Sequence, residues 1–405
     1  MPHTSPFRLR YVAVPAFAPT IVNAVGHAAV LPVLALLARE LGADVGQAAF
    51  VVALLGIGSL VASLPAGALV ARVGERRALI LAGVVEAAAM VLSALAPDLL
   101  VLGAATVVSG MAWTVFILAR QGFLIAVAPV AMRARAMSTL GGSHRIGAFV
   151  GPLAGAGVLA LTGDLRSVFW LAAAMAVLAA AVVWWAPDLP AQVEGRPGRR
   201  PGGSVGVLAV IARHRRVLLS VGSAVVVVAA ARALRATFLP LWAEHVGISA
   251  AATSVVFGVA ALAEIALFYP AGWAMDRHGR AVVAVPVVAL MGIGIGLLPL
   301  AGALPLFVVL ALLMAVGNGL GSGIVMTLGA DTAPAEHRAQ YLAGFRLAGD
   351  IGTTGGPLLV SAALTAVPLA AVCVGAGLAC LLGSTWVGHR IRRIDRSRRA
   401  AVGAT

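Results

Sequence analysis

Long apolar runs follow one another along the whole chain, separated by short polar stretches. Each run contains the roughly 20 residues that a helix needs to cross a hydrocarbon core of about 30 Å. The runs are apolar on every side, whereas the strands of a membrane barrel alternate apolar and polar positions. The pattern therefore predicts a membrane protein made of helices.

Twelve membrane-spanning helices are predicted, and they are called span one to span twelve below. They cover residues 12–38, 46–71, 78–97, 99–128, 137–162, 167–186, 217–243, 250–275, 281–301, 304–330, 341–366 and 368–388. The chain then divides into a first six-helix half at 1–186, a linker at 187–216, a second six-helix half at 217–388 and a basic tail at 389–405. The linker is rich in Pro, Gly and Arg and is expected to be flexible.

The two halves repeat each other at an offset of 205 residues. Pro65, Gly67, Arg72 and Gly74 recur as Pro270, Gly272, Arg277 and Gly279, and the glycines and proline at 147, 151 and 152 recur at 352, 356 and 357. Internal duplication of a membrane protein is typical of transporters, whose two halves move about a site held between them. The sequence thus predicts an all-α membrane protein with twelve transmembrane helices in two pseudo-symmetric six-helix halves.

Composition and charge agree with this interpretation and add an orientation. The 405 residues are 61% hydrophobic and 11% charged, with a mean hydropathy of +1.02, whereas soluble domains are about 25% charged. The net charge is +14, and all 29 basic residues are Arg. Nucleic-acid binding does not explain this charge, because most arginines lie in loops and the tail on one side of the predicted bundle.

That side, where span one begins and span twelve ends, is called the arginine-rich side. The opposite loops hold only Arg39 and Arg166, and their side is called the arginine-poor side. By the positive-inside rule, the arginine-rich side with both termini is expected to be cytoplasmic, in the inner membrane of the cell. Cys373 and Cys380 are expected to be buried small residues, and no cofactor or metal is predicted.

A loop signature follows span eight. The sequence Gly272-Trp-Ala-Met-Asp276-Arg277-His-Gly279-Arg280 resembles the cytoplasmic loop signature of the major facilitator superfamily, and the first copy, with Gly67, Arg72 and Gly74, has Ala71 in place of the acid. Glycine permits a tight turn there, and arginine keeps the loop at the cytoplasmic side. The resemblance implies that span five packs beside span eight, that span two packs beside span eleven, and that spans one, four, seven and ten line a central cavity.

Span five carries Gly147, Gly151, Pro152 and Gly155 in an arrangement that resembles the GxxxGPxxG signature of antiporters in this superfamily. Small residues four apart allow close helix contact, and proline kinks the helix. Ordinary helix packing is the alternative, because span eleven has a copy of the motif. The antiporter resemblance favours efflux.

Eight ionisable residues lie well inside the apolar spans. They are Glu86, Arg120, Arg145, Arg232, Arg235, Glu264, Arg346 and Asp350. Facing lipid, they would together cost on the order of 20 kcal/mol on insertion scales, so they are expected to face the bundle, water or one another. Either transport function or structural ion pairing explains them.

Four of these residues are candidates for proton coupling: Arg120, Glu264, Arg346 and Asp350. Arg120 resembles the fourth-helix arginine of the superfamily, although the spacing departs from the usual RxxQG. Glu86 is set aside, because span three is peripheral in the superfamily. We also expect Asp276 and Arg145 to form a cytoplasmic latch between the halves.

Eight residues are candidates for lining the cavity: Asn23, His27, Trp113, Phe116, Arg120, Arg232, Arg235 and Asn318. Asn23 and His27 share one helix face, and hydrogen bonds between helices are the alternative role for both. For Trp113 and Phe116 the alternative is packing between helices. Two or three arginines in the cavity would suit an anionic or zwitterionic solute.

The sequence therefore favours a secondary transporter, expected to work as a monomer in the bilayer and to export a small organic molecule in exchange for protons, as in multidrug resistance. Proton symport or facilitated uptake of a small anionic solute is the alternative within transport. A membrane enzyme is disfavoured because the sequence has no HExxH or GxSxG motif. A receptor or scaffold that binds without transporting is the third class.

Overall fold

Helices make up nearly all of the described chain. The computed structural model describes residues 9–63, 65–127, 132–186, 212–321, 323–333 and 338–402. In chain order the first half consists of Leu9–Val30, Leu34–Glu40, Val45–Ser63, Pro65–Val73, Glu75–Ala94, Leu99–Val127, Arg133–Thr162 and Arg166–Trp185. The second half consists of Arg215–His245, Ala250–His278, Ala281–Leu297, the 3-10 turn Leu298–Leu300, Leu304–Leu320, Ile324–Thr332, Arg338–Leu364 and Leu369–Val402.

Each predicted span corresponds to one of these helices or to a pair of them. In the described part of the chain, ten helices are long and apolar enough to cross a membrane, and Leu304–Leu320 is a shorter apolar helix. The remaining span, Arg338–Leu364, is the one that carries Arg346 and Asp350. The predicted fold class is therefore confirmed.

Spans one, two and ten each consist of two helices, and glycine or proline stands at each break, Pro65 being the first residue of the second helix of span two. Span one turns between Val30 and Leu34, where Pro32 has no backbone N–H to donate. Span ten begins its second helix after Gly323, whose φ of 108° suits glycine. Gly74 and Gly279 likewise have positive φ where spans two and eight end, which confirms the tight turns expected of the loop signature.

The two halves use the same helix pairs. Span one packs on span five as span seven packs on span eleven, and span three packs on span six as span nine packs on span twelve. Span two also packs on span four as span eight packs on span ten. The sequence repeat is therefore a repeat of structure.

Between the halves, span two contacts span eleven and span five contacts span eight, as the resemblance implied. A further contact lies on the arginine-poor side, where Leu34–Glu40 meets span seven. There Arg39 Nε lies 3.0 Å from Glu244 Oε1 and 3.1 Å from Glu244 Oε2. On the arginine-rich side, the principal contacts of Pro65–Val73 and Ile324–Thr332 are within their own halves. Among the described residues, the contact between the membrane-end helices of the two halves therefore lies on the arginine-poor side.

Span twelve extends beyond the predicted end at residue 388, as one helix that reaches Val402. Asp395 in this extension accepts hydrogen bonds from the backbone N–H groups of Arg280 (3.1 Å) and Ala281 (3.0 Å), at the start of span nine. The first residues of the predicted tail are thus an ordered part of the second half. Most of the predicted linker, residues 187–211, lies outside the described residues.

Candidate functional site

A group of charged side chains lies where spans seven, eight and ten meet, and we call Arg232, Arg235, Glu264 and Asn318 the second cluster. Arg232 Nε donates to Asn318 Oδ1 (2.5 Å), and Asn318 Nδ2 donates to Glu264 Oε2 (2.6 Å). Arg235 Nη1 lies 2.7 Å from Glu264 Oε1, as an ion pair without the alignment of a hydrogen bond. Four residues predicted from the sequence are thereby brought into one connected site.

Local sequence explains how these side chains meet. Arg232 and Arg235 are three residues apart on span seven, so they share a helix face. A Cβ atom at Gly319 would lie only 2.9 Å from the Glu264 Cα atom, so glycine lets spans eight and ten approach closely. Asn318, beside that glycine, is thus held against Glu264.

The first half contributes a third guanidinium to this region. Arg145 of span five lies over the ring of Phe268 at 4.6 Å, and Phe268 is one helical turn from Glu264. Arg145 is also within electrostatic reach of Glu264 and of Arg232. Three guanidinium groups therefore surround one carboxylate, which leaves the region with an excess of positive charge.

A second group of polar side chains lies inside the first half, and we call His27, Glu86, Ser109, Trp113 and His144 the first cluster. His27 Nδ1 is 3.5 Å from Glu86 Oε1, which also accepts a hydrogen bond from Ser109 Oγ at 2.9 Å. The His27 ring stacks on Trp113, with centroids 4.1 Å apart and 11° between the planes. His144 lies 5.3 Å from Trp113 at 46°. Spans one, three, four and five thus share one cluster, in which Glu86 and Ser109 are buried and the three rings are partly buried.

The other cavity candidates have different surroundings. Arg120 is 1% exposed, and its Nε donates to Thr20 Oγ1 of span one at 3.2 Å. Asn23 is also buried. Phe116 belongs to an apolar core with Leu79 and Val183 of spans three and six. Phe116 is therefore a packing residue, because this face of span four points toward its own half and not toward the partner half.

Asp350 lies at the contact between spans two and eleven, with Arg346 as an electrostatic neighbour. Ser63 Oγ is 2.7 Å from Asp350 Oδ2 and 2.8 Å from the carbonyl oxygen of Ser59. A hydroxyl carries one hydrogen, so both contacts are satisfied together if a protonated Asp350 donates to Ser63. This arrangement keeps Asp350 among the candidates for proton binding.

The predicted latch is absent from this conformation. Asp276 is 80% exposed and pairs with Arg280 Nη1 at 3.1 Å, while Arg280 Nε contacts Asp331 Oδ2 at 2.9 Å. Arg145 lies level with Phe268, eight residues before Asp276, or about 12 Å along the helix. The register of spans five and eight thus keeps the two predicted partners apart. Asp276 instead joins a network within the second half that Ala71 cannot form in the first.

The antiporter-like glycines pack span five against span one. A Cβ atom at Gly147 would lie 2.8 Å from the Ile21 carbonyl oxygen, and one at Gly151 would lie within 3.0 Å of Ala28 and of Ala29. Gly155 approaches Ala29 next, and Pro152 lies inside the helix. The copy in span eleven packs on span seven in the same way, with Gly352 beside Ala229. Close packing therefore accounts for these glycines in both halves. The loop glycines Gly67 and Gly272 have room for a side chain.

Sequence reasoning missed several residues of this core. Glu86 was set aside, yet it is buried beside His27, and neither Ser109 nor His144 was a candidate. The signal was available for Glu86, because a carboxylate in the middle of an apolar span requires a partner. The Arg39–Glu244 pair was also missed, although the two residues occupy equivalent positions 205 apart.

Comparison with known proteins places this geometry among related folds. The family model of the Major Facilitator Superfamily matches residues 17–231 and 221–402. No curated protein matches the sequence. A solved structure of the peptide transporter POT is 15% identical, with 94% of each chain covered and a TM-score of 0.74. The nucleoside transporter NupG is 12% identical, with 94% of this chain and 99% of that chain covered and a TM-score of 0.72.

A bacterial homolog of the human lysosomal transporter Spinster, solved in an inward-facing and unoccupied conformation, is 13% identical. The match covers 97% of this chain and 98% of that chain, with a TM-score of 0.74. At these identities the structural likeness shows the fold alone.

Proposed function

Because this chain belongs to the major facilitator superfamily, we propose that it is a secondary transporter that binds a small organic solute through an anionic group at the second cluster. The two halves would move in turn about this site, so that it opens to one side of the membrane at a time. We further propose that protons drive the transport, that the arginine-rich side is cytoplasmic and that the protein works as a monomer in the inner membrane.

The observation that carries the solute class is the excess of guanidinium groups around Glu264. Arg235 contacts this carboxylate directly, Arg232 reaches it through Asn318, and Arg145 of the other half lies within its electrostatic reach. A carboxylate or phosphate group of a solute would neutralise the remaining positive charge of these guanidinium groups, since guanidinium binds such groups with two parallel hydrogen bonds. Contributions from both halves also suit a site that changes when the halves move.

The same contacts favour proton symport as the form of coupling. An ionised Glu264 competes with the anionic solute for the arginines, whereas a protonated Glu264 leaves them free. Proton binding and solute binding would then strengthen each other, and linkage requires this effect to be reciprocal. Proton and solute would cross the membrane together, inward under the usual proton gradient.

Export by proton antiport is the second candidate, and the Gly147-to-Gly155 motif of span five supports it. Antiport requires proton and solute to exclude each other, so the sign of the linkage separates the two candidates. The glycine packing of spans one and five is compatible with either direction.

A binding experiment tests the solute class and the sign of the linkage. Purified protein is screened by thermal shift against small carboxylates, phosphates and zwitterions, and the affinity of the best ligand is measured as a function of pH. We expect an anionic ligand whose affinity rises toward acidic pH. In the E264Q variant we expect the part of this pH dependence that comes from Glu264 to be lost. Affinity that falls toward acidic pH would support antiport instead. Preference for cations would contradict the proposed solute class.

Transport in proteoliposomes then tests the direction. We expect an inward proton gradient to drive accumulation of the ligand, and R232A or R235A to abolish that flux. Arg213 is an exposed arginine outside the cluster, so R213A is the matched control and is expected to keep wild-type flux. D350N in the same assay tests whether Asp350 also binds a coupling proton. Gradient-independent flux in the wild type would contradict proton coupling.

A further inference from the structure

The first cluster contains a buried carboxylate and a partly buried imidazole, 15% exposed, that the proposed solute site does not use. We propose that His27 and Glu86 form a proton-binding site in the first half, separate from Glu264. Its use as a second coupling proton rests on the proposed function, whereas proton binding itself does not.

The contacts leave Glu86 with unused capacity. Its side chain is 5% exposed, and Oε1 already accepts from Ser109 and faces His27. Its second oxygen, Oε2, is buried and has no hydrogen-bond partner among the described residues. Ionised carboxylates in the interior of a bundle are costly unless they are paired, so this group requires a cation or a proton close by.

Protonation of the pair supplies that cation. One proton from bulk water, bound by the imidazole of His27, converts a lone carboxylate of charge −1 into an imidazolium–carboxylate pair of charge zero. The indole of Trp113, stacked on His27 at 4.1 Å, adds the attraction between a cation and an aromatic face. The proton-bound form is thus stabilised by two interactions, one with the Glu86 carboxylate and one with the Trp113 ring.

Surrounding charges do not replace this pairing. Arg120 of span four donates to the Thr20 hydroxyl. Arg145 of span five lies over the Phe268 ring. Arg166 of span six donates to the carbonyl oxygens of Ala94 and Ala96. His144 of span five is the other titratable group beside Trp113, and its buried Nδ1 has no hydrogen-bond partner among the described residues. With no carboxylate beside it in the described part of the chain, His144 is the weaker proton acceptor.

The second half gives the reason to regard His27 as a switchable cation. His27 and Arg232 are 205 residues apart, as are Trp113 and Asn318. Span one therefore contacts span four through His27 and Trp113 at the place where span seven contacts span ten through Arg232 and Asn318. Arginine stays charged at all physiological pH values, whereas histidine changes charge near neutrality. The first half thus carries His27, whose charge depends on proton binding, at the position where the second half carries the fixed charge of Arg232.

Fluorescence of Trp113 provides a direct test that needs no solute. In a full-length variant that retains Trp113 and has the other six tryptophans replaced by phenylalanine, a stacked imidazolium should quench the emission. We expect one titration between about pH 4 and pH 9, abolished by H27N. E86Q should move its midpoint by about one pH unit or more toward acid, because the stabilising carboxylate is gone.

Matched controls separate His27 from its neighbours. H144N removes the other histidine beside Trp113 and is expected to keep the titration, and E264Q neutralises the carboxylate of the second cluster and is expected to leave the midpoint unchanged. If the single-tryptophan protein does not fold, nitrogen-15 NMR of labelled histidines in the full wild-type chain, assigned with H27N, reports the same midpoint. A titration that survives H27N, or a midpoint unaffected by E86Q, would overturn the proposal.

Transport distinguishes this proposal from the proposed function. If the wild type shows gradient-driven flux, we expect E264Q to retain a residual pH dependence that H27N removes in the double variant. The same residual dependence in both would overturn the role of His27 in coupling. A wild type that moves no solute but still shows the His27 titration would contradict the proposed function and leave the proton site standing.

Discussion

The two clusters occupy equivalent places in the two halves and hold different chemistry. In the first half, His27 stacks on Trp113 beside the carboxylate of Glu86. In the second half, Arg232 donates to Asn318, which in turn donates to Glu264. The two carboxylates come from non-equivalent spans, three and eight. Duplication has therefore kept the helix pairs while each half acquired its own charges, and the halves need not share one role.

The same lesson appears at the two contacts between the halves. Ser63 and Phe268 are equivalent positions, and so are Arg145 and Asp350. One contact is a short polar contact between Ser63 and Asp350, and the other is a guanidinium over the ring of Phe268. The fold thus brings equivalent positions together in both contacts between the halves, whereas the interaction between the side chains differs from one contact to the other.

The largest expected difference concerns the two carboxylates. E264Q leaves three guanidinium groups without an anion, and loss of one partner of a buried ion pair costs about 3–5 kcal/mol. E86Q should cost only about 1 kcal/mol, because glutamine keeps an oxygen that accepts from Ser109 and the partner it leaves is a histidine, which is able to be neutral. Thermal unfolding of the purified variants measures both. Equal losses would break the distinction between a fixed and a proton-dependent cluster.

The helix-packing glycines should respond alike in both halves. G147V and G352V each place methyl groups against a neighbouring helix, and overpacking of this kind costs about 1–3 kcal/mol. G157V is the matched control, because a Cβ atom at Gly157 has nothing within 4 Å. Unfolding measurements should give similar losses for the first two and little change for the control. A loss of transport confined to G147V at unchanged stability would instead show that span five has a special role, as the antiporter resemblance implied.

The two contacts between the halves should differ moderately. S63A removes the acceptor for the protonated Asp350 carboxyl group, and a buried donor left without its partner costs about 1–3 kcal/mol. F268L removes a cation–π contact with Arg145, for which about 0.5–1 kcal/mol is expected at a partly exposed site. The ratio of the two losses in thermal unfolding is the informative quantity. A larger loss for F268L would show that span five and span eight form the stronger contact.

The smallest effect is expected on the arginine-poor side. Arg39 and Glu244 are both about one-third exposed, and exposed ion pairs contribute about 0.2–1 kcal/mol. A double-mutant cycle with R39A and E244A measures the coupling. In addition, S361C, at a position that bonds to Gly46 across the halves, should react faster with a maleimide in the R39A background. Cys373 and Cys380 are buried, so background labelling should be low. Unchanged labelling would show that the pair does not hold this side closed.

Hydrophobic pattern and duplication were sufficient to predict the fold, because membrane crossing fixes helix length and a repeat fixes the relation of the halves. Arg232, Arg235, Glu264 and Asn318 could also be selected, since buried polar groups need partners. The partners themselves could not be derived, because they depend on helix register. Arg145 faces Phe268 and not Asp276 for this reason, and the register of span four places Phe116 in the core of its own half, which was the alternative to the expected cavity position.

The Arg39–Glu244 contact has a consequence for the symmetry of the chain. The two positions are equivalent, so this contact lies where the two halves face each other around their pseudo-two-fold axis. A symmetric homodimer of one half would set the same side chain against itself there. An arginine–glutamate pair at this point therefore requires two copies that differ in sequence, as the two halves of this single chain do.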